Sequence, residues 1–201
     1  MAIIAENTSR VDFKPIEAGL HNARCFKMVH IGTITENWQG QEKQTNKVRI
    51  IFELQDETYT TEDGQYRRRA IGKTFTLSMH KKSSLRAFLE TWRGLAFTED
   101  EARRFDVTKL LGAYSIISIV HNEGDNGIYH KLNSANKMKK EQYFEGENGL
   151  VEFNYDDKFD LDVLTDFEAE MVKKSLEYQN RTSTDEETTD SEEEIKGELP
   201  F

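Results

Sequence analysis

Apolar and polar residues alternate in several stretches of the first 140 residues. The clearest stretch is residues 48–54, where Val48, Ile50, Phe52 and Leu54 share one face. A period of two is typical of a β-strand with one buried face. By this criterion we predict five strands, at His21–Ile31, Val48–Leu54, Ile71–Met79, Ala113–His121 and Ile128–Ala135.

The polar stretches between these strands are predicted to be loops. Residues 32–45 and 56–65 contain glycines and few apolar residues, and residues 123–127 have the Gly, Asp and Asn of a tight turn. Within the third strand, Phe75, Leu77 and Met79 are predicted to point inward.

The period changes to that of a helix after the third strand. Leu85, Phe88, Leu89 and Trp92 recur at helical spacing, so that Trp92 is predicted to lie in the core. Ser83 or Ser84 can cap this helix, and Gly94 suits its C-terminal end. Residues 98–101 form a capping box for a second short helix that ends near residue 105.

The pattern weakens after residue 140. Val151, Phe153 and Tyr155 alternate as in a short strand, and a second capping box at residues 165–168 precedes a short helical face. From residue 182 onward the chain is too polar to fold alone. We predict an N-terminal extension at 1–18, a barrel domain at 19–137, an acidic extension at 138–181, and a disordered acidic tail at 182–201.

The order of elements predicts the fold class. Three strands, then helices, then two strands is the order of an OB-fold, a five-stranded barrel with a helix between strands 3 and 4. The expected class is therefore all-β with minor α, followed by an acidic C-terminal extension. In this architecture the second and third strands and their neighbouring loops are free to bind a ligand.

Charge is divided unevenly along the chain. Residues 1–140 hold 22 Lys and Arg against 17 Asp and Glu, a net +5, whereas residues 141–201 hold 5 against 20, a net −15. This asymmetry favours polyanion binding as much as it favours a solvated surface with a solubilising tail. Cys25 is the only cysteine, which excludes a disulfide within the chain and favours the cytoplasm. The sequence shows neither a secretory signal nor a membrane-spanning stretch.

Single-strand binding needs cations for phosphates and flat rings for bases. Both occur on the predicted first and second loops and the adjoining strands: Trp38, Lys43, Lys47, Arg49, Tyr59, Tyr66, Arg67, Arg68, Arg69, Lys73, Lys81 and Lys82. Trp38 has two interpretations, a base-stacking ring or a lid folded over the barrel. The two tyrosines and the arginine run could equally belong to a solvated surface.

Enzyme chemistry has little support in the sequence. The five histidines lack the spacing of a zinc site, and no glycine-rich phosphate loop or nucleophile motif occurs. We therefore expect no catalytic residue, no metal and no cofactor. A metal-dependent nuclease remains a third interpretation, because scattered carboxylates can converge in a fold.

Two parts of the chain, the body of the predicted barrel and the C-terminal tip, resemble known families. Residues 72–80 (GKTFTLSMH), residues 82–86, Trp92-Arg93-Gly94 and Phe97-Thr98 resemble the phage single-stranded DNA-binding proteins with an OB fold. The C-terminal residues Glu198, Leu199, Pro200 and Phe201 resemble the tips of bacterial SSB acidic tails.

These resemblances imply a sequence-nonspecific single-stranded DNA-binding protein without catalysis. It would act in phage DNA replication, recombination or repair in the cytoplasm of the infected bacterium. The tip at residues 198–201 would dock onto replication or recombination proteins, since a Phe ring beside carboxylates can enter an apolar pocket with a basic rim. A homodimer is compatible with the sequence, and no membrane is implied. The alternative is an OB-fold protein-interaction adaptor that does not bind DNA.

Overall fold

The computed structural model describes residues 14–38, 40–124 and 127–183, without the Trp38 side chain. Six strands occur in this part of the chain: β1 (Gly19–Trp38), β2 (Gln41–Thr60), β3 (Tyr66–Thr76), β4 (Tyr114–Gly124), β5 (Gly127–Lys137) and β6 (Val151–Phe153). The helices are α1 (Ser84–Arg93), α2 (Glu99–Arg103), α3 (Asp166–Lys173) and α4 (residues 176–183). The protein is therefore mostly β with a few helices, as the sequence predicted.

The strands form one antiparallel sheet in the order β3-β2-β1-β4-β5, to which β6 adds as a parallel neighbour of β1. The outer strands β3 and β5 approach each other, and Lys73 Nζ on β3 donates to Asn133 O on β5 at 2.9 Å. Among the described residues no backbone ladder joins these two strands, so the sheet is open. We call the gap between β3 and β5 the seam.

The predicted loop at residues 32–45 was wrong. Residues 32–38 of β1 pair with residues 41–47 of β2 in a hairpin of mostly polar residues, which we call the ribbon, with Gly40 at φ 81° in its turn. Backbone hydrogen bonds hold such a ribbon, and neither face needs to be apolar. Hydrophobic alternation reports burial, and therefore it revealed only the part of each strand that is buried.

The prediction of a loop at residues 56–65 was wrong for the first half of that range, because this part of the strand is also not marked by hydrophobic alternation. β2 continues to Thr60 and pairs with the start of β3, and only residues 61–65 form the turn. Leu77 was also misplaced, because it lies just beyond the end of β3 and is 37% exposed.

The main core lies on one face of the sheet beneath α1. Val48, Ile50, Phe52 and Leu54 all point into it, as predicted. The Trp92 ring packs 5.0 Å from the Phe52 ring, and its Nε1 donates to Tyr114 O at 2.9 Å. Both ends of α1 are as predicted: the Ser83 side chain caps the first turn, and Gly94 at φ 70° ends the helix. The capping box that begins at Thr98 starts α2.

The C-terminal segment, residues 144–178, covers the opposite face of the sheet. Phe153 of β6 and Val172 of α3 pack against Val29, Ile31 and Ile51 in a second apolar cluster. The centre of β1 and β2 is thus buried on both faces. This explains why Ile51, on the polar side of the predicted alternation, is buried.

The junction of this segment with β1 is tightly fitted. Gly32 has φ 90°, and a Cβ there would lie 2.9 Å from Ser175 Cβ. The next residue, Thr33, donates from its N and its Oγ1 to the Glu177 carboxylate at 2.6 and 2.7 Å. The Tyr155 hydroxyl donates to Ile31 O at 2.8 Å. These contacts fix α3 and α4 on the sheet.

Two ionic contacts lie at the same interface. Lys27 Nζ donates to Glu168 Oε2 and to Val163 O, both at 2.5 Å, and both charged side chains are buried. Arg24 Nε donates to Glu53 Oε1 at 2.6 Å, while Glu53 Oε2 accepts from the backbone and side chain of Asn148. Because buried charges are tolerated only when paired, these contacts specify how the segment sits.

Candidate functional site

The first group of predicted site residues lies on the β1–β2 ribbon. Lys43 is exposed there, and the backbone of Trp38 pairs with Gln41 at its tip. Lys47 forms an ion pair with Glu36 across the ribbon, and its hydrogen bond lowers the pKa of that carboxyl group. The choice between stacking ring and lid for Trp38 stays a prediction.

The two predicted tyrosines lie on the β2–β3 hairpin and are 49% and 78% exposed at Tyr59 and Tyr66. Tyr59 is opposite Arg67, and Tyr66 is opposite Thr60. Because directly opposed residues share a face and neighbours alternate, Tyr59 and Tyr66 project from opposite faces of the hairpin. A single strand on one face therefore meets only one of them.

The arginine run is divided in the same way. Arg68 donates to Glu145 O and lies 4.9 Å from the Phe144 ring, and Arg67 forms an ion pair with Glu147 at 3.5 Å. Arg69 is buried and donates to Lys14 O at 2.7 Å. The three guanidinium groups thus have partners within the protein and do not form one basic surface.

The last predicted pair precedes α1. Lys81 and Lys82 are exposed, and Lys81 lies 3.4 Å from the Glu99 carboxylate. Neither lysine lines the seam groove described next.

Two of the predicted residues, Arg49 and Lys73, start from opposite faces of β2 and β3 and both line one groove at the seam. A groove of about 270 Å³ lies between β3 and β5, and we call it the seam groove. Its polar lining comes from Arg49, Lys73, Tyr129, His130 and Lys131. Tyr129 is 50% exposed, so the groove combines three basic side chains with an accessible ring.

The cations of the seam groove are incompletely neutralised. Within the described part of the chain, no carboxylate lies within ion-pair distance of Lys73 or Lys131. Burial, and then the neighbouring charge of Lys131, lower the pKa of Lys73. An anion between the two ammonium groups would relieve this repulsion.

Arg49 lies flat across β3 because residue 72 is glycine. A Cβ on Gly72 would lie 2.7 Å from Arg49 Nη2 and 2.8 Å from its Cζ. Arg49 Nη1 donates to Thr74 Oγ1 at 3.2 Å, but its buried Nε has no hydrogen-bond partner and is 3.8 Å from Glu168 Oε1. Because an unsatisfied buried donor is costly, Arg49 is held in this position at some cost to stability.

His130 connects the seam groove to the N-terminal part of the described chain. Its Nδ1 accepts from Ile16 N at 3.3 Å, while His121 Nε2 is 2.7 Å from Ile16 O. Burial, followed by the charges of Arg69 and His121, lowers the pKa of His130, and Glu57 only partly opposes them. The folded protein therefore favours the neutral imidazole that can accept this hydrogen bond.

We expect this histidine to make stability depend on pH. Because its pKa is lower in the folded than in the unfolded state, the unfolded chain binds the proton first as pH falls. The contribution of neutral His130 to the free energy of unfolding is complete above the unfolded pKa of about 6.5, and it is lost as pH decreases below that value. His130→Gln should reduce the slope of unfolding free energy against pH between about 7 and 5, measured by urea unfolding. The exposed His80→Gln variant is the control, and an equal change of slope in both variants would contradict this assignment.

Sequence reasoning missed Tyr129 and Lys131. They lie two residues apart on β5 and share one face of the strand, and this alternation was available in the sequence. Their proximity to Arg49 and Lys73 was not, because it depends on how β5 meets β3. Residues 198–201, the predicted docking tip, lie outside the described residues.

No protein-family model matches this chain, and comparison with curated protein sequences finds no match. In the described ranges, no group of three His, Cys, Asp or Glu side chains is placed to hold a metal ion. Those ranges also contain no helix that is long and apolar enough to span a membrane.

Proposed function

We propose that this protein binds single-stranded DNA without sequence preference, and that the seam groove is the centre of its binding surface. The observation that carries the proposal is the convergence of Arg49, Lys73 and Lys131 beside Tyr129. Cations that follow a phosphate backbone, together with rings that accept any base, are the two requirements of such binding.

The strand order supports an OB-type barrel as the scaffold. Three meandering strands, two helices and a hairpin follow one another, and β3 lies against β5 where a barrel would close. In this interpretation the seam is the place where the barrel is not fully closed. An open seam exposes strand edges and side chains that a closed barrel would cover.

The biological role in this proposal comes from the resemblance to phage single-stranded DNA-binding proteins. The protein would protect single strands during phage replication, recombination or repair, and the tip at residues 198–201 would recruit partner proteins. The protein-interaction adaptor is the second candidate. It is favoured by the internal pairing of Arg67 and Arg68, which withdraws these cations from a nucleic-acid surface.

Titration of labelled oligo-dT at several salt concentrations tests the proposal. We expect log K to fall linearly with log salt, with a slope of about −0.7 for each phosphate neutralised. A duplex of equal length should bind more weakly, because its bases are not free to stack. An adaptor would show no DNA affinity even at low salt, and a nuclease would shorten the labelled strand when a divalent metal is added. Either result would contradict the proposed function.

A further inference from the structure

The exposed ring of Phe167 lies next to Arg49, one of the residues that line the seam groove. Phe167 is 58% exposed, and the Arg49 guanidinium carbon lies 5.1 Å from the centre of its ring. Arg49 itself lines the seam groove. The C-terminal segment therefore places an aromatic ring beside the cations of the sheet.

The way α3 is anchored explains why this ring stays exposed. Glu168 and Val172 are four residues apart on one side of α3 and are both buried against the sheet. The capping box between Thr165 and Glu168 fixes the first turn. Phe167 precedes the anchored Glu168 and projects to the side of the buried face, toward Arg49. The ring contributes little to the apolar cluster beneath α3.

We propose that Phe167 stacks on a base of the bound strand while the phosphate next to that base contacts Arg49 and Lys131. This inference rests on the proposed function. The Arg49 guanidinium packs against one part of the Phe167 ring and holds it in place. More than half of the Phe167 surface remains accessible. The site is thus composite, with cations from the sheet and the stacking ring from the C-terminal segment.

The stacking contact can be isolated by comparing variants of Phe167 on two strands, one with bases and one without. On oligo-dT, Phe167→Ala should weaken binding by about 5- to 150-fold, the range of one lost base-stacking contact. On an abasic deoxyribose-phosphate strand of equal length, the same variant should bind as the unchanged protein does. Phe167→Trp should retain affinity on oligo-dT, whereas Phe167→Leu, which keeps an apolar side chain without a flat ring, should behave like alanine.

Tyr143→Ala is the matched control, because Tyr143 is also exposed but lies near Tyr114, at the other end of the β4–β5 hairpin from Tyr129. It should leave both affinities unchanged. If Phe167→Ala binds oligo-dT normally while Lys131→Glu weakens it, the stacking role is wrong and the proposed function stands. If the unchanged protein fails to bind oligo-dT at low salt, both proposals are wrong.

Discussion

Replacing Glu168 by alanine is expected to lower the free energy of unfolding by about 3–5 kcal/mol, the cost of breaking a buried ion pair by removing one partner. The variant leaves the buried Lys27 ammonium without its carboxylate, and it removes the acceptor for Thr165 N at the start of α3. Urea unfolding followed by circular dichroism measures the change. Glu170→Ala, on the exposed side of the same helix, should change stability by less than about 0.5 kcal/mol.

A double variant distinguishes an ion-pair effect from general damage to α3. In Lys27→Met with Glu168→Gln, the buried charges are both removed, while glutamine can still accept from Thr165 N. Because an uncharged replacement of a buried pair is often neutral, most of the lost stability should return. A double variant as unstable as Glu168→Ala would show that the pair with Lys27 is not the source of the loss, because Arg49, 3.8 Å from Glu168 Oε1, loses the carboxylate in both variants.

The apolar part of the fold was predictable because it depends on local patterns. Residues 48–54 and the face containing Trp92 show their burial directly in the spacing of large apolar residues. The first turns of α1, α2 and α3 and the C-terminal end of α1 followed from capping residues, whose hydrogen bonds are made within one turn. These features need no knowledge of the distant chain.

The cover on the second face was not predictable in the same way. Lys27 and Glu168 are buried although each is polar, and only their pairing across 141 positions makes this tolerable. A sequence pattern assigns such residues to the surface. The same limitation hid Arg24 and Glu53, whose partners come from residues 147 and 148.

The candidate site was predictable by residue type and less so by position. Cations and rings on β2 and β3 were expected, and two of them, Arg49 and Lys73, line the seam groove. The arginine run divided because alternate strand residues point to opposite faces. Phe167 belongs to a segment beyond the predicted barrel, and no local pattern connects it with Arg49.

The seam groove also gives the largest expected change in DNA binding. The double variant Lys73→Met with Lys131→Glu should weaken oligo-dT binding by about 100-fold at low salt, because two phosphate contacts are lost and one carboxylate is added. The slope of log K against log salt should become shallower by about 1.4, at 0.7 per phosphate. Methionine preserves an apolar chain over the Phe75 and Phe88 rings, which lie 5.3 and 5.5 Å from Lys73 Nζ. Fluorescence anisotropy of labelled oligo-dT measures both quantities.

The control separates local contacts from the effect of total charge. Lys109→Glu makes the same charge change as Lys131→Glu at an exposed position in the short turn after α2, away from the seam groove. If long-range attraction alone held the strand, reversal at either lysine would weaken binding equally and the slope would not depend on position. Because a phosphate contact releases a counterion only where it forms, we expect the slope to change for the seam groove variants and to stay constant for Lys109→Glu. Equal slopes in all variants would place the DNA path elsewhere on the protein.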